Sequence, residues 1–179
     1  MSKKSLSDHP NKNNKTRAGN KVTSEIEEGP YYKSGSPERT RLFEEGIPGD
    51  KITLTGYVLD TRGKRIVHAW LDFWHANGYG AYDNSGYSLR GHQYSDESGK
   101  YILETVVPGG YSSRTPHIHV KVRANSNSPI LTTQLFIPGL ASNKTDFLYR
   151  DDLLIDMKDT SQGKVATFSF VIERLLSAS

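Results

Sequence analysis

The sequence predicts an all-β fold, an antiparallel β-sandwich with an irregular N-terminal arm and little helix. Three observations carry the prediction. Apolar and polar side chains alternate with a period of two in short runs, and the runs are separated by turns rich in Gly, Pro and Asp. The chain is also 179 residues long, enough for one domain with a buried core.

Residues 1–22 contain almost no large apolar side chain and cannot repay the entropy of ordering, so they are expected to form a disordered basic tail. The remaining residues, 23–179, are expected to form the domain. Within it, residues 23–50 are broken by Gly29-Pro30, Ser36-Pro37 and Pro48-Gly49 and read as an arm wrapping the sandwich, with a short helical turn near Glu38–Glu45.

From Lys51 the period becomes two: Ile52, Leu54 and Val58 alternate with Thr53, Thr55 and Tyr57 up to the turn Asp60-Thr61-Arg62-Gly63. Val67, Ala69, Leu71 and Phe73 oppose His68, Trp70, Asp72 and Trp74, and both faces are apolar enough for a strand inside a sheet. Past Asp96-Glu97-Ser98-Gly99, further strands are expected over Tyr101–Val107, from His117 through Val122, over Ile130–Ile137 and over Lys164–Leu175. Phe147–Met157 is read as holding one short helix. Six strands at this spacing, with such turns between them, fit a sandwich.

Composition removes several classes of function. The chain has no cysteine, which excludes disulfides, thiolate metal sites, iron–sulfur clusters and thiol nucleophiles. The net charge of +3 invites a nucleic-acid reading. However, Lys3, Lys4, Lys12, Lys15, Arg17 and Lys21 stand against Asp8 alone in the tail, which leaves the rest mildly acidic, and no nucleic-acid partner is expected. No run of apolar residues resembles a signal peptide or a membrane span, so a cytoplasmic protein without a membrane partner is expected, a processed secreted form remaining open. G-x-S-x-G and Gly-rich phosphate loops are missing.

The stretch with the most chemical content is His117-Ile118-His119. Residues two apart on a strand face the same way, so both imidazoles could grip one metal ion. Tyr111 ends the Pro108-Gly109-Gly110 turn just upstream, and Tyr82 follows Gly80 in an aromatic-rich segment. A phenol loses its proton near neutral pH only when a metal drives it off, and a hard trivalent ion favours such anionic oxygens; two tyrosines with two histidines therefore point to Fe(III), one per chain. Two phenolates and a hydroxide would balance the charge, with two neutral imidazoles completing five-coordination. An H-x-H pair also occurs in cupins, which expect a glutamate four or five residues later, where this chain has Arg123 and Ala124. His75, His68 and His92 are expected to be structural.

The stretches GYVLDTRGKRIVHAWLDFWHANGYGAY, SDESGKYILETVVPGGY, RTPHIHV and LTTQLFIPG, in this order, resemble the intradiol ring-cleavage dioxygenases, which include catechol 1,2- and protocatechuate 3,4-dioxygenases. The resemblance covers roughly residues 28–140. It implies that Tyr82, eight residues after Trp74, is a phenolate ligand and Tyr79 is not. It further implies that Tyr111, His117 and His119 complete the metal set, with Tyr111 and His119 axial. Arg114 and Gln134 stand where the family keeps a catalytic arginine and glutamine, both also expected near substrate, and Tyr31, in a Gly29-Pro30-Tyr31 segment, is expected to contact substrate. The implied partners are a small aromatic diol and O2, and the implied product is a cis,cis-muconate-type diacid.

Two departures from the family pattern limit what carries over. The loop Ser112–Pro116 is shorter than in protocatechuate enzymes, which predicts a more open pocket. The proline-broken residues before the first strand cannot build the helical subunit-pairing region of catechol 1,2-dioxygenases, so homo-oligomer formation and the particular catechol stay open. The competing expectation is a transthyretin-like, metal-free binding module, which the turns would also suit.

Overall fold

The computed structural model describes residues 20–176. It is a two-sheet sandwich of nine strands, with two short 3-10 turns as the only helical elements among the described residues. The strands are β1 (Lys51–Asp60), β2 (Trp70–Trp74), β3 (Arg90–Tyr94), β4 (Lys100–Val106), β5 (His117–Arg123), β6 (Leu131–Phe136), β7 (Asp156–Thr160), β8 (Gly163–Thr167) and β9 (Phe170–Ile172). One sheet runs in the order β4-β1-β8-β7, with β9 also on β1, and the other runs β3-β2-β5-β6. The pairing is antiparallel except along β1, which takes β8 and β9 in parallel.

The core is what the period of two dictates. Ile52, Leu54 and Val58 of β1 and Tyr101 and Leu103 of β4 face Leu71 and Phe73 of β2 and Ile118, Val120 and Val122 of β5, and all are essentially inaccessible to solvent. Burying each such side chain contributes about 1.5–3 kcal/mol. As the apolar character of both its faces implied, β2 lies inside its sheet, between β3 and β5.

Several elements differ from expectation, each for a physical reason. β3 (Arg-Gly-His-Gln-Tyr) has no apolar alternation; Arg90 to Gln93 are covered because β2 lies on one side and the arm on the other, where Arg39 N donates to His92 O and His92 N to Pro37 O. β7 is polar and exposed and exists through its pairing with β8. The span Lys164–Leu175 is two strands, not one. The break at Phe168 lies against Gly56, where an added Cβ would stand 1.7 Å from Phe168 O, and Tyr101 Oη donates to the same carbonyl at 2.6 Å.

The strand expected from Val67 starts only at Trp70, because residues 67–68 turn and His68 takes φ 57°. The helical turn expected near Glu38–Glu45 is absent, and those residues instead run as a strap bridging His92 and Glu104. Phe147–Met157 holds only the 3-10 turn Asp151–Leu153, and Met157 belongs to β7; a second 3-10 turn covers Ala141–Lys144. Of the tail expected to be disordered, residues 1–19 lie outside the described residues, while Asn20 N donates to Thr61 O at 2.7 Å.

The arm is what sets up the site. It first runs along the free edge of β6, with Ile26 N donating to Thr132 O at 3.0 Å and Thr133 Oγ1 donating to Ser24 O at 2.7 Å, and then crosses the outer face of the β3-β2-β5-β6 sheet. Lys121 on β5 pairs with Glu28 at 2.6 Å. Tyr32 Oη and Ser36 Oγ both donate to the buried Asp72 carboxylate, at 2.9 and 2.8 Å. Ile26 caps Phe136 and Leu153 in a small second apolar cluster. A sheet face that would otherwise be solvated is thereby roofed.

Candidate metal centre

Under that roof, cross-strand pairing sets one row of side chains. Directly opposed residues share a face, and here Trp74 of β2, His119 of β5 and Gln134 of β6 are in register. His117 stands two residues from His119 on the same face of β5, opposite Phe136. Both histidines are 2 % exposed and Gln134 is fully buried. The indole of Trp74 stacks on the His119 ring, with centroids 4.7 Å apart and planes 9° off parallel.

The tyrosines reach this row through two loops that meet backbone to backbone. Gly109 N donates to Asn77 O at 2.8 Å, and an added Cβ on Gly109 would stand 2.5 Å from Gly78 O. Gly80 has φ +81°, and its Cβ would stand 2.3 Å from Gly110 O. Only glycine permits both the left-handed backbone and this approach. The phenols carried just downstream consequently converge: Tyr82 Oη lies 3.4 Å from Tyr111 Oη.

Four donor atoms thus form a closed ring. Tyr111 Oη is 3.3 Å from His117 Nε2, His117 Nε2 is 3.0 Å from His119 Nε2, and His119 Nε2 is 3.0 Å from Tyr82 Oη. The diagonal pairs are Tyr111 with His119 and Tyr82 with His117. Donors about 2.0–2.1 Å from a common metal ion, at angles between right and tetrahedral, are separated by about 2.9–3.4 Å, so the spacing of the ring fits one ion. Among the described residues no three His, Asp or Glu side chains gather around a point, so a metal here depends on the phenols.

Protonation agrees with that fit. His117 Nδ1 faces the Thr115 carbonyl at 2.7 Å; a carbonyl only accepts, so Nδ1 carries the hydrogen and Nε2 presents its lone pair to the ring. Burial, with the charge of Arg114, pushes the His117 imidazole down to about 4 despite the Thr115 bond, and burial and His117 hold His119 well below its ordinary value. Burial and the Tyr111 hydroxyl raise the Tyr82 phenol above its ordinary value. Without a cation, all three groups are held neutral; a metal ion is the partner that would favour ionised phenol beside neutral imidazole.

Arg114 closes one side. Its Nε donates to Asp146 at 2.9 Å and its Nη2 to Gln134 Oε1 at 2.5 Å, while Gln134 Nε2 donates to Glu27 O of the arm at 3.1 Å. Tyr31 lies over the phenols, stacked on Tyr82 at 4.4 Å and edge-on to Tyr111 at 5.9 Å. Arg90 Nη1 holds the Tyr31 carbonyl at 2.5 Å and Arg90 Nε the Asp83 carbonyl at 3.1 Å, tying arm to loop.

The structure therefore gathers Tyr31, Tyr82, Tyr111, Arg114, His117, His119 and Gln134 in one place. Tyr79 is 83 % exposed and outside the ring. His75 is structural: Nδ1 donates to Ala76 O and Nε2 accepts from Thr105 Oγ1, each at 2.6 Å. His92 is occupied by Ser36, whereas His68, expected to be a satisfied structural residue, is an exposed turn residue 3.9 Å from Glu97. Sequence reasoning missed Asp146, Arg90 and Trp74 as partners of the site. Trp74 could have been found from strand register; Asp146 and Arg90 carry no local signal.

Comparison with known proteins accords with this arrangement. Residues 27–174 match the family model described as Dioxygenase, Dioxygenase_C. The catechol 1,2-dioxygenase of Acinetobacter baylyi is 30% identical over 160 residues, covering 72% of this chain and 51% of its own length. A chlorocatechol 1,2-dioxygenase of Rhodococcus opacus is 30% identical, covering 68% of this chain and 58% of its own. The chain spans about half the length of the curated relatives it matches. Among solved structures, the dioxygenase domain of a dioxygenase carbohydrate-binding protein fusion from Streptomyces sp. SirexAA-E superposes with TM-score 0.82 at 43% identity, covering 86% of this chain and 99% of that one. Catechol 1,2-dioxygenase from Pseudomonas arvilla C-1 superposes with TM-score 0.78 at 26% identity, covering 87% and 63%. A match over that span, with relatives at this identity and the same sandwich, means that the chain belongs to the intradiol ring-cleavage dioxygenase family.

Proposed function

We propose that this protein cleaves a catechol-type ring between its two hydroxyls with O2, using one ferric ion held by Tyr82, Tyr111, His117 and His119. The observation that carries the proposal is the closed ring of two phenol oxygens and two imidazole nitrogens at 3.0–3.4 Å. Iron(III), when bound, supplies the Lewis acidity that keeps phenols and diol ionised and makes the ring electron-rich toward O2. The chain's own residues do the rest.

Tyr111 Oη accepts one proton of the incoming diol. Tyr31 and Tyr82 offer aromatic faces against which a flat ring packs. Arg114, whose guanidinium stays charged, stabilises negative charge that builds on the substrate, and Gln134 holds it at Nη2. Both atoms of O2 enter the product and the bond between the hydroxylated carbons breaks, so catechol plus O2 gives a cis,cis-muconate-type diacid with no other reactant.

A metal-free binding module accounts for the turns but not for two buried imidazole nitrogens facing two phenol oxygens. The test is oxygen uptake and product mass on a panel of catechol, protocatechuate, hydroxyquinol and halogenated catechols, with iron measured on the same sample. A diacid heavier than the substrate by two oxygens is expected. A semialdehyde, or full stability with no iron and no uptake, would overturn the proposal.

A further inference from the structure

We infer that Asp146 is the positioning residue for Arg114, holding its guanidinium by the Nε edge so that Nη1 stays uncommitted. The inference deepens the ring-cleavage reading and rests on it for the role of Arg114. Asp146 lies 32 residues downstream of Arg114, between the two 3-10 turns, in a segment with no strand.

Both oxygens of its carboxylate are engaged. Oδ2 accepts from Arg114 Nε at 2.9 Å and from Thr115 N at 2.7 Å, and Oδ1 accepts from Leu148 N at 2.8 Å. The Asp146 side chain is fully buried and that of Arg114 is 12 % exposed, so the pair is little screened by water. Burial opposes ionisation of Asp146, but the bonds from Arg114, Thr115 N and Leu148 N outweigh it and hold the carboxyl below its ordinary value.

A guanidinium is a rigid planar fork, so fixing two of its corners fixes the third. Asp146 takes Nε and Gln134 takes Nη2, and no hydrogen bond within the described residues uses Nη1. The neighbouring residue is clamped with it: Thr115 Oγ1 bonds Asn143 Oδ1 at 2.6 Å and meets Ser142 Oγ at 2.7 Å. A structural anchor alone would need only the Thr115 and Leu148 bonds. The bond to Nε is the part that sets the direction of a charge.

The test is a double-mutant cycle on the iron-loaded protein. Asp146→Asn keeps the shape but sets an NH2 group against a donor. In the wild-type background it should lower kcat/KM for catechol about 10- to 100-fold, as loss of an orienting partner does, with iron content and visible absorption unchanged. In an Arg114→Ala background the same substitution should change the rate less than about threefold. Phenylglyoxal modification of Arg114, read by peptide mass against the exposed Arg62, should rise several-fold in Asp146→Asn.

Equal losses in both backgrounds, or unchanged Arg114 reactivity, would overturn the assignment. If Asp146→Asn does not fold, Asp146→Glu, which keeps the charge on a longer stem, enters the same cycle with the same outcomes. Absence of oxygen uptake by the wild type would fail the ring-cleavage reading instead, and the phenylglyoxal comparison would still decide whether Asp146 holds Arg114.

Discussion

The two sheets share one core but treat their outer faces in opposite ways. On β1 the burial alternates along the whole strand, with Thr53, Thr55 and Tyr57 turned to partial solvent. On β5 the first four residues, His117 to Val120, are all buried, and alternation returns only at Lys121. The difference is the arm, which covers one outer face and leaves the other open. A polar residue on the open face is hydrated and interchangeable. Under the arm it must find protein partners, and a ring of four donors with two imidazoles held neutral is the outcome.

The sharpest way to break the comparison is to remove a donor from the covered face. Tyr82→Phe or Tyr111→Phe should shift the phenolate-to-iron absorption band and lower turnover by more than about 100-fold, since a ligand should matter more than its outer partners. Tyr79→Phe should do neither, and an equal effect there would place the ligand three residues too late.

Next in size is the packing beneath the phenols. Gly80→Ala imposes both a left-handed backbone and a 2.3 Å contact with Gly110 O, and should cost about 3 kcal/mol together with the absorption band. Gly139, at φ +78° with nothing within 4 Å, isolates the backbone contribution, and Gly139→Ala should cost about 1–2 kcal/mol in a urea titration and leave the colour unchanged.

The buried His75 extends the comparison to pH. Burial pushes its imidazole down to about 4 from 6.5, so the unfolded chain binds the extra proton across that window and the folded one does not. Stability should therefore fall as pH drops from 6.5 to 4, by about 3 kcal/mol from this group. A His75→Gln variant should lose correspondingly less over the same range in urea unfolding, and parallel curves would refute the attribution. Smallest of all, Val165→Thr on the open face should change stability by less than about 0.5 kcal/mol.

Those contrasts also mark what was legible in advance. The core strands were, because Ile52, Leu54, Leu71, Phe73, Ile118 and Val120 carry the period themselves. The donors were legible because each sits beside a local signal, the H-x-H spacing or a glycine turn. β3 and β7 were not: one is buried by its neighbours rather than by its own apolar side chains, and the other is defined by pairing alone. The strap at Glu38–Glu45 was misread as helical because its order comes from His92 and Glu104, more than fifty residues on. Asp146 was invisible for the same reason: nothing around it in sequence announces Arg114.

The arm has a further consequence for the order in which the molecule assembles. It precedes every strand, yet Ser24 and Glu27 are bound to Thr133 and Gln134, separations of 109 and 107 residues, and Thr23 Oγ1 accepts from Val171 N across 148. Contacts so remote close late and slowly. On that ground a roof synthesised before the walls would be seated after them, leaving the donor face open to a metal ion until late in folding.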